Sequence, residues 1–247
     1  MTGLVLAVRY LTIVPVPGGV PHGMQTLGRA APWFPVVGLA LGIVLVGVDR
    51  LTAVFFSSLL ATLLTVTAWK ALTGGLHLDG LADCLDGLAG RDAADRLRIM
   101  HDGRLGAFGA VGLVLFLLLE VAALVELPAD ARRRALLVVP AVARATPPLL
   151  ARYFPPARAE GHGATFREGL RAGAAPLVLT LGVAVAVAAL GVVGLALAVV
   201  SVVAALALAA FMMGRLAGVT GDVLGAAIEV AELAGLLTVA AWAHVRP

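Results

Sequence analysis

Long apolar runs broken by short polar stretches dominate the chain. A helix needs about 20 mostly apolar residues to cross a hydrocarbon core of about 30 Å. Runs at 33–48, 51–72, 105–127, 135–154 and 223–243 approach or reach that length, and Asp49-Arg50 separates the first two. The run from 174 to 214 is too long for one span and suits two, with a tight turn near 191–194. The pattern predicts an all-α, polytopic transmembrane helical bundle of about seven spans. The first run is short, so it either spans alone or forms a re-entrant hairpin with the second. With no internal repeat and no soluble segment, residues 1–247 read as a single integral membrane domain.

Three polar stretches, 73–104, 152–173 and 215–222, separate the runs. With the segment before Trp33 on the cytoplasmic side and the spans alternating, all three fall on that same side. Twelve of the 18 Lys and Arg residues then lie there, five lie opposite, and Arg144 sits within a span. That excess favours cytoplasmic polar loops, and the arginines at 132–134 argue the other way.

Composition agrees with the pattern. Hydrophobic residues make up 61% and charged residues 13%, against about 25% charged in a soluble domain, and the mean hydropathy is +1.02. Twenty-nine glycines suit close helix–helix contact in lipid. A net charge of +3 without a dense basic run excludes a nucleic-acid reading. The one cysteine, Cys84, excludes an internal disulfide. No short apolar core followed by a small-residue cleavage site opens the chain, so no removable signal is expected.

The richest polar stretch is Gly74-Gly75-Leu76-His77-Leu78-Asp79-Gly80-Leu81-Ala82-Asp83-Cys84-Leu85-Asp86-Gly87. Asp79, Asp83 and Asp86 fall at i, i+4 and i+7 and share one helix face. Three stacked carboxylates repel unless a cation sits between them, and Mg²⁺ is the hard cation that carboxylates and substrate phosphates hold. The competing account is a solvated acidic face. His77 is either a base or phosphate donor, or a plain interfacial histidine. Asp102 and Arg104, before the third span, suit a phosphate-and-metal clamp or ordinary boundary anchoring. Arg144 needs an anionic partner, either a carboxylate such as Glu120 or a substrate phosphate. Thr220 can cap a helix whose first turn carries Asp222. Capping does not explain Glu229 and Glu232, which project onto the same face as Asp222 inside an apolar span and suit a cavity lining.

These stretches resemble one family, the cobalamin synthases (adenosylcobinamide-GDP ribazoletransferases). The matching pieces are LTIVPVP at 11–17, FPVVG at 34–38, GGLHLDGLADCLDG at 74–87, IMHDGRLGAFG at 99–109, the segment 157–163 and TGDVLGA at 220–226. They keep family order along nearly the whole chain, and the block at 74–87 is highly specific. Gly103 stands where the family usually has Ser, and His162 where it usually has an aliphatic residue. The aspartate block is also similar to that of CDP-alcohol phosphotransferases, an analogy of chemistry alone.

The resemblance implies that α-ribazole, or its 5′-phosphate, attacks the phosphate attached to cobinamide in adenosylcobinamide-GDP, releasing GMP. It implies Mg²⁺ on Asp79, Asp83 and Asp86, and Arg104 and Arg144 on phosphate oxygens. Asp102 and Glu160 join the substrate contacts, and Asp222, Glu229 and Glu232 complete the cavity. A carboxylate, Asp83 or Asp86, or His77 accepts the proton of the attacking hydroxyl. The expected surroundings are the lipid bilayer of a bacterial inner membrane, with self-association or other corrinoid-pathway enzymes as partners. The rival reading is a transporter whose intramembrane carboxylates carry protons or cations.

Overall fold

The computed structural model describes residues 2–17, 25–159 and 161–245. Among them the chain forms thirteen α-helices and one 3-10 turn, and its only bridge pairing is Pro156 with Val219. Five helical paths are long and apolar enough to cross a membrane, or seven when each of two bent pairs counts as one span. The protein is therefore a multi-pass helical membrane protein.

After α1 (Thr2–Leu11), the first path runs over Leu27–Phe55, through α2 (Gln25–Ala30), the 3-10 turn Ala31–Trp33 and α3 (Phe34–Phe55). The break expected at Asp49-Arg50 does not occur. Asp49 is fully buried, and its carboxylate meets Arg132 at 2.8 Å and Arg133 at 3.2 Å, both on α8 (Ala129–Ala143). A paired acid can stay within an apolar helix, so the first span is full length.

The second path bends by 88° between α4 (Ser58–Leu72) and α5 (Leu76–Gly87). Gly74 and Gly75 make this bend with φ of 63° and 67°, the left-handed region open to glycine without steric cost. α5 thus runs across the direction of α4. After α6 (Ala93–Met100), α7 (Ala107–Val125) crosses again. The next path, Ala129–Tyr153, consists of α8 and α9 (Thr146–Tyr153) with a break at Arg144-Ala145. α10 (His162–Gly169) and α11 (Ala174–Leu190) form the second bent pair, at 92°. Gly191, φ 59°, turns the chain into α12 (Val192–Leu216), within the segment where the sequence places a turn. α13 (Gly221–Val245) is the last helix.

Burial separates central from lipid-facing helices. An 18-residue stretch of the Ala129–Tyr153 path is 89% buried within the protein, against 28% for that of Ala107–Val125. α7 accordingly exposes Val111, Val114, Leu115 and Leu118, a surface suited to lipid. α13 packs on α12, α5, α8, α7 and α9. α3 docks on α8 through Gly38 and Gly42, where an added Cβ would run into the α8 backbone at Pro140 and Leu137. Small residues four apart let two backbones approach this closely. Gly42→Val is expected to cost about 3 kcal/mol by overpacking, measured as a lowered unfolding midpoint in detergent.

Candidate functional site

Polar residues from all three polar stretches meet in one cleft of about 420 Å³. α5 supplies Asp79 and Asp83, and the end of α6 with the turn after it supplies Met100, His101 and Gly103. Arg158 and the 161–164 segment form another wall, and 219–222 closes the floor. Two backbone bonds clip these last walls together: Ala157 N–H donates to the Val219 carbonyl at 3.0 Å, and Val219 N–H donates to that of Pro155 at 2.9 Å. Arg158 donates to the Leu97 carbonyl at 2.5 Å.

Asp222 enters the cleft from the first turn of α13. Thr220 caps that helix by accepting from Val223 N–H at 3.2 Å, and its hydroxyl donates to the Asp222 carboxylate at 3.2 Å. Gly80 brings α5 against this turn, since an added Cβ would stand 2.7 Å from the Asp222 carbonyl oxygen. Asp79, Asp222 and Asp86 all lie within electrostatic reach of Asp83. Among the described residues, no Lys or Arg forms an ion pair with Asp79, Asp83 or Asp222. Carboxylates without an ion-pair partner in a polar cleft are the hard oxygen donors that Mg²⁺ takes; their chemistry suits such an ion, and their oxygens do not all stand within 4.8 Å of one another.

Of the trio Asp79, Asp83 and Asp86, only the first two line the cleft. Asp86 is buried, and its two oxygens accept from Gly106 N–H at 2.7 Å and Gly109 N–H at 2.8 Å. It anchors the start of α7, where a carboxylate also meets the positive end of the helix dipole. Asp86→Ala is expected to lose about 2 kcal/mol of stability, the scale of hydrogen bonds to a charged group. Thermal unfolding of the variant in detergent measures that loss.

His77 also leaves the cleft. It is 3% exposed beneath α13, with Gly225 against its Cα, and neither ring nitrogen has a partner among the described residues. A group so enclosed cannot reach a substrate hydroxyl in the cleft. Asp102 and Arg104 lie outside the cleft lining and form an exposed ion pair at 2.6 Å. The Arg104 hydrogen bonds hold the Asp102 carboxyl below the ordinary carboxylate range. Glu160 lies outside the described residues.

Arg144, Glu229 and Glu232 do not line the cleft either. They form a buried charge cluster with Glu120 and Lys70. Lys70 Nζ stands 2.6 Å from Glu229, 2.9 Å from Glu120 and 3.4 Å from Glu232. Arg144 donates to Glu232 at 2.7 Å, so its partner is a carboxylate, Glu232 in place of Glu120. Among the described residues these three glutamates are the only acidic trio with oxygens all within 4.8 Å, and an ammonium and a guanidinium serve them already. Lys70 counted in the sequence only as a topology charge. The signal that could have found it is a lysine ending an apolar run in a chain with otherwise unmatched intramembrane glutamates.

The chain matches the family model described as cobalamin-5-phosphate synthase over residues 3–240. Three similar proteins bear the name adenosylcobinamide-GDP ribazoletransferase. That of Geotalea daltonii is 38% identical, covering 96% of each chain. That of Chlorobium phaeobacteroides is 40% identical, covering 94% of this chain and 95% of its own. That of Pseudomonas aeruginosa strain PAO1 is 36% identical, covering 97% and 98%. No solved structure matches the chain. The fold, the motif-bearing cleft and these full-length likenesses agree: the chain belongs to the cobalamin-5-phosphate synthase family.

Proposed function

We propose that the cleft is the transfer site of an adenosylcobinamide-GDP ribazoletransferase. A ribose hydroxyl of α-ribazole, or of its 5′-phosphate, attacks the phosphorus attached to cobinamide. The new P–O bond forms as the bond to the GMP oxygen breaks, yielding adenosylcobalamin or its 5′-phosphate and free GMP. The observation that carries this reading is the meeting of Asp79, Asp83, Asp222 and Arg158 in one polar cleft, in a chain whose full-length relatives bear that enzyme name.

The residues divide the work by position. Asp79, Asp83 and Asp222 would hold Mg²⁺ against the diphosphate. Bound there, the ion supplies charge neutralisation for the phosphoryl oxygens and the leaving group. Arg158 offers a guanidinium to a phosphate oxygen, while Arg104 lies outside the cleft lining, paired with Asp102. With His77 enclosed, Asp83 is the group that accepts the hydroxyl proton. The walls contributed by Arg158, by 161–164 and by 219–222 orient the acceptor for in-line attack. The charge distribution along the chain supports a bacterial cytoplasmic membrane with the cleft facing the cytoplasm. A transporter reading is weaker, because the deep carboxylates are engaged by Lys70 and Arg144.

Incubation of the purified protein with adenosylcobinamide-GDP, α-ribazole and Mg²⁺ tests the reading. One GMP per corrinoid product is expected. Absence of GMP from a folded preparation rejects it.

A further inference from the structure

The cleft draws its carboxylates from two helices, and something must fix the position of one against the other. Asp79 and Asp83 ride on α5, and Asp222 begins α13. α5 reaches its place only through the left-handed Gly74-Gly75 turn. Lys70 sits at the root of that turn. Its backbone carbonyl accepts from Gly75 N–H at 3.0 Å and from the Thr73 hydroxyl at 3.0 Å. Gly75 in turn accepts from Asp79 N–H at 2.8 Å.

The Lys70 side chain points the other way, into the bundle, where it donates to Glu229 of α13 at 2.6 Å and Glu120 of α7 at 2.9 Å. Glu229 lies two turns below Asp222 on the same helix. One residue therefore ties the turn that launches α5 to the helix that carries Asp222. The Trp69 and Phe116 rings, 4.9 and 5.7 Å from the ammonium, shield this contact. A buried ion pair can set register while adding little stability, and a carboxylate displaced by about 1 Å can lower a rate by about 100-fold.

We infer that Lys70 is a positioning residue for the transfer reaction: through Glu229 it holds α13 in register with α5, so that Asp222 faces Asp79 and Asp83. The inference rests on the reading of the cleft as the transfer site. It separates Glu229 from Glu120, since Glu120 is held by the same lysine and bears on α7, which carries no cleft carboxylate.

Four variants test it in detergent: Lys70→Met, Lys70→Arg, Glu229→Gln and Glu120→Gln, each scored for kcat, KM and unfolding midpoint. Lys70→Met and Glu229→Gln are expected to lower kcat about 100-fold in the folded fraction, with KM for adenosylcobinamide-GDP changed less than about threefold. Lys70→Arg restores at least a tenth of kcat, and Glu120→Gln keeps kcat within about threefold while lowering the midpoint. Equal kcat losses in Glu120→Gln and Glu229→Gln, or a folded Lys70→Met with unchanged kcat, overturn the inference. If Lys70→Met does not fold, the Glu229→Gln and Glu120→Gln comparison decides alone. Asp83→Asn run alongside separates the two claims: loss of turnover there with full turnover in Lys70→Met and Glu229→Gln leaves the cleft assignment standing and removes Lys70 from it.

Discussion

Asp83→Asn is expected to lower GMP release by about 10³-fold, within the range lost when a group that moves a proton in the transition state is removed. The amide keeps the shape of the side chain but can neither accept the proton nor offer a charged oxygen to a cation. Asp83 lines the cleft together with Asp79, one turn earlier on α5, and Asp222. Its loss therefore removes both a donor and a base, and KM for α-ribazole is expected to change less than kcat. Steady-state assays at saturating Mg²⁺ measure this. A variant retaining a tenth or more of wild-type kcat contradicts the assignment.

Arg144→Met is expected to produce the largest loss of stability, about 3–5 kcal/mol, the cost of leaving one partner of a buried ion pair without the other. Arg144 is fully buried and donates to Glu232 at 2.7 Å and to the Pro140 carbonyl at 3.0 Å. Without it, Glu232 keeps, among the described residues, only the 3.4 Å ion pair with Lys70, beside Glu229 and Glu120. The α8–α9 break at Arg144-Ala145 also loses its guanidinium contact. The unfolding midpoint of the purified variant reports the loss, and a midpoint within experimental error of wild type contradicts a structural role for this pair.

The spans were legible because apolar run length is set by membrane thickness, which the sequence must meet. Their ends were less so. A break was expected at Asp49-Arg50, but arginines some eighty residues away neutralise Asp49 and the helix runs on. Pairing across helices decides whether a charge ends a span, and a single run of sequence does not contain it. The turn at Gly191 and the Thr220 cap were readable because both are local.

Site residues follow the same division. Helical spacing tells which face a residue occupies and says nothing of depth. Asp79 and Asp86 share a face but stand about 10 Å apart along the axis, at 1.5 Å per residue. Asp79 reaches the cleft, and Asp86 reaches the first amides of α7. Asp222 and Glu229 repeat the case on α13, one at the cleft and the other two turns down against Lys70. Residues of all three polar stretches meet in the cleft. Which carboxylates face it depended on how far each helix descends into the bundle.

Binding of Mn²⁺, followed by electron paramagnetic resonance on the protein in detergent, tests most directly that Asp79, Asp83 and Asp222 form the cation site. Wild type and Asp86→Asn are expected to bind the ion comparably, while the Asp79→Asn/Asp83→Asn/Asp222→Asn variant shows only free Mn²⁺. Full binding by that triple variant, or its loss in a folded Asp86→Asn protein, would contradict the account.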